Sequence, residues 1–160
     1  MSNAKLIVHA ALVAAALGLG GASARAQSTQ YTYAGQDYTL VDTGTCLTTS
    51  MHLSFAMTLS APLAPSMTYP SLTPTLWTTN DGVHKWKNSS KGSSASIAVT
   101  TDDKGAIKYW NISTEVITKD AEKFYMRTEN PHKGAVFDVA TDYVCQPAAE
   151  AENDGLPGTW

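Results

Sequence analysis

The chain has 160 residues, with 11 basic and 14 acidic side chains and a formal charge of −3 at neutral pH. This acidic balance leaves no extended basic face, so it argues against nucleic acid and against anionic membrane surfaces as partners. A hydrophobic content of 43% and this length suit one domain with a sizeable core.

The first 26 residues have the three parts of a secretory signal peptide. Lys5 forms a short positive region, residues 6–19 form an apolar run, and Ala24-Arg25-Ala26 offers a small-x-small cleavage site. We therefore expect a secreted protein, extracellular or periplasmic, whose exported chain begins at Gln27 and has no membrane span. Loss of Lys5 and Arg25 with the signal makes that chain more acidic.

Both cysteines, Cys46 and Cys145, follow the signal peptide and are expected in an oxidising compartment, where disulfides persist. One disulfide between them is the favoured interpretation. It would close a loop of about 100 residues and constrain the unfolded chain by about 4 to 5 kcal/mol in the chain-entropy description. A pair of metal-binding thiols is disfavoured, because no further cysteine or histidine stands at zinc spacing.

Runs of β-branched and aromatic residues predict strands from the start of the exported chain. Residues 31–33 and 38–41 flank a glycine-containing break that is typical of a hairpin turn. Residues 51–59 alternate apolar and polar side chains with a period of two, which indicates a long strand with one buried face. The proline-rich segment 61–75 predicts a rigid crossover loop along a sheet edge.

Two hairpins are predicted in the middle of the chain. Asp81-Gly82 lies between the strand-like segments 76–79 and 83–87 and predicts a type I′ turn. The second hairpin covers residues 95–113, with Asp102-Asp103-Lys104-Gly105 as its loop. The two aspartates there are interpreted as turn formers that bond their own backbone, rather than as a calcium site.

The return strand of the second hairpin does not alternate simply. Ile107 and Tyr109 share one face, whereas Trp110 and Ile112 share the other. Either both faces of this strand are covered, or a β-bulge near Tyr109 shifts the alternation.

Strands are also expected at 121–128 and 135–144, whereas the Ala, Glu, Gly and Pro-rich tail 147–160 is expected to be loose until its last residues. No amphipathic helix is evident. Eight or nine strands at hairpin spacing predict an all-β fold, either a sandwich or a small barrel. We favour a single antiparallel β-sandwich domain over residues 27–146.

Three patterns together resemble a known group of proteins. They are Asp81-Gly82-Val83-x-x-Trp86, the run Ile97-x-Val99-x-Thr101-Asp102-x-x-Gly105-x-Ile107-x-x-Trp110-Asn111-Ile112, and Asn153-x-x-x-Pro157-Gly158-Thr159-Trp160. The chain resembles small secreted bacterial β-rich proteins that often carry a PEP-CTERM sorting tail after Pro-Gly-Thr-Trp. The resemblance covers most of the chain from Tyr31 onward, but an apolar sorting tail is not expected here. It implies secretion and a β-rich fold, and no activity of that group can be carried over.

Motifs of catalysis and cofactor binding are missing from the sequence. There is no G-x-S-x-G, HExxH, P-loop or dinucleotide-binding glycine pattern, so no cofactor is expected and an enzyme is disfavoured. His52 is interpreted as a surface histidine. His84 and His132 lie in or beside turns and could meet in space, but a transition-metal site is the less favoured interpretation. A glycosidase would need a pair of acidic residues, for which Glu115, Asp138 and Asp142 are candidates. Their spacing in the sequence does not single out any two of them.

Aromatic side chains are the remaining candidates for ligand binding, because their flat faces can stack on sugar rings. Trp77 and Trp86 are the candidate ligand-binding residues. For Trp77, packing in the core is an equally good interpretation. For Trp86 and Trp110, packing in the core is the favoured interpretation. The predicted function is a non-enzymatic extracellular or surface-associated module that contacts matrix polysaccharide or a surface protein. The alternatives are a small secreted hydrolase whose site is assembled only in three dimensions, and a structural protein that pairs its edge strands with neighbours.

Overall fold

The computed structural model describes residues 28–42, 46–117, 123–132, 136–143, 149–155 and 158–160. These residues form β-strands and no helix, which confirms the predicted all-β class. None of them belongs to a helix that is long and apolar enough to cross a membrane. The strands are β1 (Thr29–Asp37), β2 (Leu40–Asp42), β3 (His52–Leu59), β4 (Thr68–Tyr69), β5 (Leu76–Asn80), β6 (Lys85–Lys87), β7 (Ser93–Thr101), β8 (Ile107–Ile117), β9 (Lys123–Asn130), β10 (Phe137–Asp142) and β11 (Ala149–Asp154).

The strands form two antiparallel sheets that do not close into a barrel. The small sheet has four strands in the order β1-β3-β5-β6, and the large sheet has seven in the order β2-β11-β10-β9-β8-β7-β4. The antiparallel arrangement is therefore confirmed. The prediction of eight or nine strands was too low, because β4 lies in the proline-rich segment and β11 lies in the tail.

Side chains from the two sheets meet in one hydrophobic core. Tyr33 of β1 contacts Trp110 of β8, with ring centroids 5.3 Å apart. Thr79 of β5 donates a hydrogen bond through Oγ1 to the Met126 sulfur of β9 at 2.9 Å. The two sheets thus pack face to face, and the alternating buried residues of β3 fill the space between them as the period of two predicted. Those residues are Leu53, Phe55, Met57 and Leu59.

The predicted hairpin between the first two strands was wrong. β1 pairs with β3, whereas β2 pairs with β11 at the edge of the large sheet. The chain changes sheets at consecutive residues, because Tyr38 N donates to Met51 O and Thr39 N donates to Glu152 O. Burial of Tyr38 at this crossing accounts for the difference, since a tight turn would leave its ring outside the core.

The loop between β5 and β6 is longer than the predicted type I′ turn. A type I′ turn needs a positive φ at both central residues. Gly82 has a φ of 106°, but the φ of Asp81 is not positive. Instead Asp81 Oδ1 accepts hydrogen bonds from Val83 N and His84 N at 2.8 and 2.7 Å. The carboxylate of Asp81 therefore shapes a four-residue loop.

The β7–β8 hairpin is confirmed, and of the two alternatives left open for its return strand the structure has the bulge. Thr100 faces Tyr109 while Thr101 faces Ile107, so Lys108 is the extra residue in β8. In the loop, Asp102 Oδ1 accepts hydrogen bonds from Lys104 N at 2.8 Å and Ala106 N at 2.9 Å. The interpretation of Asp102 as a turn former is thereby confirmed.

The tail is not loose over its described part. β11 pairs with β10 and β2, and its inward residues Ala149 and Ala151 are buried. Further on, Ala34 and Thr159 exchange two backbone hydrogen bonds of 2.9 and 2.8 Å. The Trp160 ring packs near Tyr33, with centroids 5.3 Å apart, so the last residues dock as the sequence predicted.

Two further predictions concern residues outside the described ranges. The signal peptide at 1–26 is one of them. Cys145 is the other, so its pairing with Cys46 stays a prediction; Cys46 itself is half-buried, and no described cysteine is free.

Candidate functional site

A groove on the outer face of the large sheet combines aromatic rings with polar side chains. Tyr109 lies on this face because it alternates with the buried Trp110 and Ile112, and the bulge at Lys108 leaves the Lys108 side chain beside the Tyr109 ring. The His132 ring, from the segment after β9, meets the Tyr109 ring edge-on with centroids 5.0 Å apart. Lys108 Nζ lies 5.2 Å from the centroid of the same ring. Two neighbours thus hold the Tyr109 ring in position.

The first part of this groove is a cavity of about 230 Å³. Residues of β4, β7, β8 and β9 line it, so it depends on strands that are far apart in sequence. On β4, Tyr69 provides a second aromatic wall, and its Oη accepts a hydrogen bond from Ala64 N at 2.8 Å. That bond fixes the orientation of the Tyr69 ring.

Polar groups lie beside these rings. Thr68 and Thr100 share a hydrogen bond of 3.2 Å between their hydroxyls, and the exposed Asn111 offers an amide. Glu129 adds a carboxylate that forms an ion pair with Arg127. The cavity therefore presents hydrogen-bond donors and acceptors around an aromatic surface.

A second cavity of about 410 Å³ adjoins the first and shares Thr100, Tyr109 and His132 with it. Asp102 and Asp103 line its far part. The backbone N–H groups of Lys104 and Ala106 hold the pKa of Asp102 below its usual range, so this carboxylate stays ionised at neutral pH. The two cavities form one elongated site, which we name the Tyr109 groove.

Neither tryptophan predicted to bind a ligand lines the Tyr109 groove. Trp77 is only 5% exposed and belongs to the core, which was the alternative left open for it. Trp86 is half-buried; its ring stacks on His84 at a centroid distance of 6.3 Å and tilts against Phe124 at 5.7 Å. A ligand-binding role for the two tryptophans stays a prediction.

The histidines occupy separate places. His52 is on the surface and lies 3.3 Å from Asp37, and His132 is in the Tyr109 groove. His84 instead joins two acidic residues: its Nδ1 lies 2.5 Å from Asp142 Oδ2, and Asp81, His84 and Asp142 place one potential ligand atom each within 4.8 Å of the others. This is the one group of described residues that could hold a metal ion.

Asp138, a candidate acid from the sequence, lies in a second buried polar cluster. Tyr33 Oη donates to both of its carboxylate oxygens, at 2.8 and 2.9 Å, and accepts a hydrogen bond from Gly158 N at 3.0 Å. Burial raises the pKa of Asp138, although hydrogen bonds from Thr128 and Tyr33 and the nearby His52 oppose that shift. Burial also raises the pKa of Tyr33, so its phenol stays protonated and remains a donor.

The sequence did not single out Tyr69, Tyr109 or His132 as a binding set. The irregular alternation at 107–112 was the available signal for the outward position of Tyr109, but Tyr69 and His132 reach the groove through pairings of distant strands. In the buried cluster, Asp81 and His84 were three residues apart in sequence, whereas Asp142 comes from the other sheet.

The comparisons with known proteins leave the site to be interpreted from its own chemistry. The chain matches no family model, no curated protein and no solved structure.

Proposed function

We propose that this protein is a secreted binding module that holds a segment of polysaccharide in the Tyr109 groove. The observation that carries the proposal is the outward, laterally fixed ring of Tyr109 at the junction of two adjoining cavities. Export rests on the signal peptide expected at 1–26.

The chemistry of the groove suits a sugar chain. A pyranose ring has an apolar face that packs on an aromatic ring, and hydroxyls around its edge that both donate and accept hydrogen bonds. Tyr109 and Tyr69 supply the aromatic surface, while Thr100, Asn111 and Glu129 supply acceptors and donors beside it. A wholly apolar ligand would exclude water from these polar groups without replacing its hydrogen bonds, which is unfavourable.

The shape of the groove supports a chain rather than a single sugar. The two cavities are open to the surface of the sheet and share three lining residues, so a ligand can extend past Tyr109 in both directions. Lys108 and the Asp102–Asp103 loop, which line the second cavity together, carry opposite charges. This mixed charge favours a neutral or weakly charged polysaccharide over a strongly acidic one.

The test uses the full chain expressed with its leader and recovered after export. Binding to a glycan array, followed by calorimetry with the best oligosaccharide, is measured for the wild type, Tyr109→Ala and Tyr125→Ala. Tyr125 is the matched control, because it is a half-exposed tyrosine on the same sheet that does not line the groove. We expect Tyr109→Ala to weaken binding at least tenfold, which corresponds to about 1.4 kcal/mol, and Tyr125→Ala to leave it within twofold.

A third variant distinguishes this proposal from binding through tryptophan. Trp86→Ala should leave glycan affinity unchanged if the ligand occupies the Tyr109 groove. If Trp86→Ala loses glycan affinity while Tyr109→Ala keeps it, and both variants are equally stable to heat, the ligand binds at Trp86 instead. Absence of binding to every glycan would refute the proposal.

The hydrolase alternative draws on Glu129 and His132, which line the same groove. The same oligosaccharides separate the two functions, since hydrolysis releases new reducing ends with time. We expect bound oligosaccharide to be recovered at its original length.

A further inference from the structure

We propose that Asp81, His84 and Asp142 form a binding site for one divalent transition-metal ion, such as Zn²⁺. This site is separate from the Tyr109 groove and does not depend on the function proposed for it. It consists of two carboxylates and one imidazole whose potential ligand atoms all lie within 4.8 Å of one another.

The state of Asp81 gives independent support. The whole residue is 0% exposed, and its Oδ1 accepts hydrogen bonds from Val83 N and His84 N. Its Oδ2 is buried without a hydrogen-bond partner. A buried carboxylate oxygen without a partner is costly, and within the described ranges no lysine or arginine forms an ion pair with Asp81. A bound cation would satisfy this oxygen.

The donor set indicates the class of metal. Imidazole nitrogen favours transition metals over calcium and magnesium, and two carboxylates with one histidine are compatible with a four-coordinate Zn²⁺ that keeps one position for water. Zinc takes such ligands at about 2.0 to 2.2 Å. His84 Nδ1 and Asp142 Oδ2 now lie 2.5 Å apart, so they would separate slightly to admit the ion.

The surroundings leave one side of the cluster open. Asp81 and Asp142 are buried, whereas the His84 side chain is 32% exposed, so an ion can reach the site from the His84 side. Behind the imidazole, the Trp86 ring stacks on it and limits its rotation. The stacking restricts the orientation of the imidazole, whereas the His84–Asp142 hydrogen bond has to open for the ion to enter.

The ligands come from both sheets, which suggests what the ion does. Asp81 and His84 lie in the β5–β6 loop of the small sheet, and Asp142 ends β10 of the large sheet. A single ion would therefore join the two sheets at this end of the fold, and its binding should stabilise the folded chain.

The test begins with the exported full chain after removal of metals with EDTA. Titration with Co²⁺, followed by its visible absorption, and metal analysis after Zn²⁺ loading report the number of ions bound. We expect one ion per chain and an unfolding temperature that rises with Zn²⁺. His84→Ala and Asp81→Asn should weaken Co²⁺ binding more than tenfold and remove the rise in unfolding temperature.

His52→Ala is the control variant, because His52 lies on the surface beside a different carboxylate, Asp37. It should bind Co²⁺ like the wild type. His84→Ala changes a half-exposed loop residue, so it keeps the test valid if Asp81→Asn does not fold. No saturable Co²⁺ or Zn²⁺ binding, or equal binding in His84→Ala, would overturn the proposal.

Discussion

Replacement of Gly158 by alanine should detach the C-terminal residues from β1. A Cβ atom at Gly158 would lie 2.2 Å from the Ala34 carbonyl oxygen, 2.6 Å from Gly35 Cα and 2.6 Å from Tyr33 Cζ. The first two are backbone atoms of a paired strand, so they cannot move aside at little cost. The added methyl group and the present docking of residues 158–160 are therefore incompatible.

The expected magnitude follows from the contacts that detachment removes. Two hydrogen bonds between Ala34 and Thr159 and one from Gly158 N to Tyr33 Oη would be lost. Each contributes about 0.5 to 1.5 kcal/mol. The Trp160 ring would also leave its contacts with Tyr33 and with Trp110, at centroid distances of 5.3 and 5.8 Å. The three hydrogen bonds amount to about 1.5 to 4.5 kcal/mol and the contacts of the half-buried Trp160 ring add about 1 kcal/mol, so we expect a total loss of about 3 to 5 kcal/mol.

The assay is urea unfolding followed by far-UV circular dichroism, with hydrogen exchange at the Ala34 amide as a local readout. Gly155→Ala is the control: Gly155 has φ 93° and open space around its Cβ position, so only backbone strain of about 1 to 2 kcal/mol is expected. Trp160→Ala should cost less than Gly158→Ala, because it removes only the ring contacts, and the double variant should resemble Gly158→Ala alone, since Gly158→Ala already removes those contacts. Gly158→Ala with wild-type stability, or fully additive effects, would refute the reasoning.

Three further outcomes are expected. Burial raises the pKa of Asp138, so the folded state keeps the carboxyl proton of Asp138 at pH values where the unfolded state has released it. The free energy of unfolding should therefore fall as pH rises through this range. Asp138→Asn should reduce this pH dependence, measured as the urea midpoint at several pH values. Asp102→Ala should lower the unfolding temperature more than Asp103→Ala, because the Asp102 carboxylate accepts backbone hydrogen bonds in the loop. The difference in unfolding temperature between wild type and Asp102→Ala should shrink as pH falls through the lowered pKa of Asp102. Equal melting curves for the two variants would contradict this. Thiol labelling of unreduced, denatured protein should find no free cysteine, whereas labelling at Cys46 and Cys145 would contradict the disulfide.

Local patterns predicted the central strands well. The alternation in 51–59 identified β3, and the irregular alternation at 107–112 made a bulge near Tyr109 one of two alternatives. Both signals lie within one strand, where the period of two relates directly to burial. The position of Tyr109 could therefore be inferred, but the groove around it could not.

The remaining features depend on partners that are distant in sequence. β11 was missed because its buried positions are Ala149, Ala151 and Asn153, residue types that carry little strand propensity and look like an unstructured tail. The crossing at Tyr38 was missed because a turn and a change of sheet use similar residues. Asp142 and His84 are 58 residues apart, and only the packing of the two sheets brings them together.

The pairing of β2 and β1 with late segments has a consequence for the order of events during synthesis. A chain emerges with its N-terminal residues first, yet among the described strands β2 pairs only with β11, and Ala34 of β1 bonds Thr159. β2 therefore stays without its partner strand until residues 149–154 are available, and the edge of β1 that faces away from β3 stays open at Ala34 until Thr159 arrives. Contacts of such long sequence separation slow folding, so nascent chains that stop before β11 should expose a β2 segment open to premature association or to a chaperone.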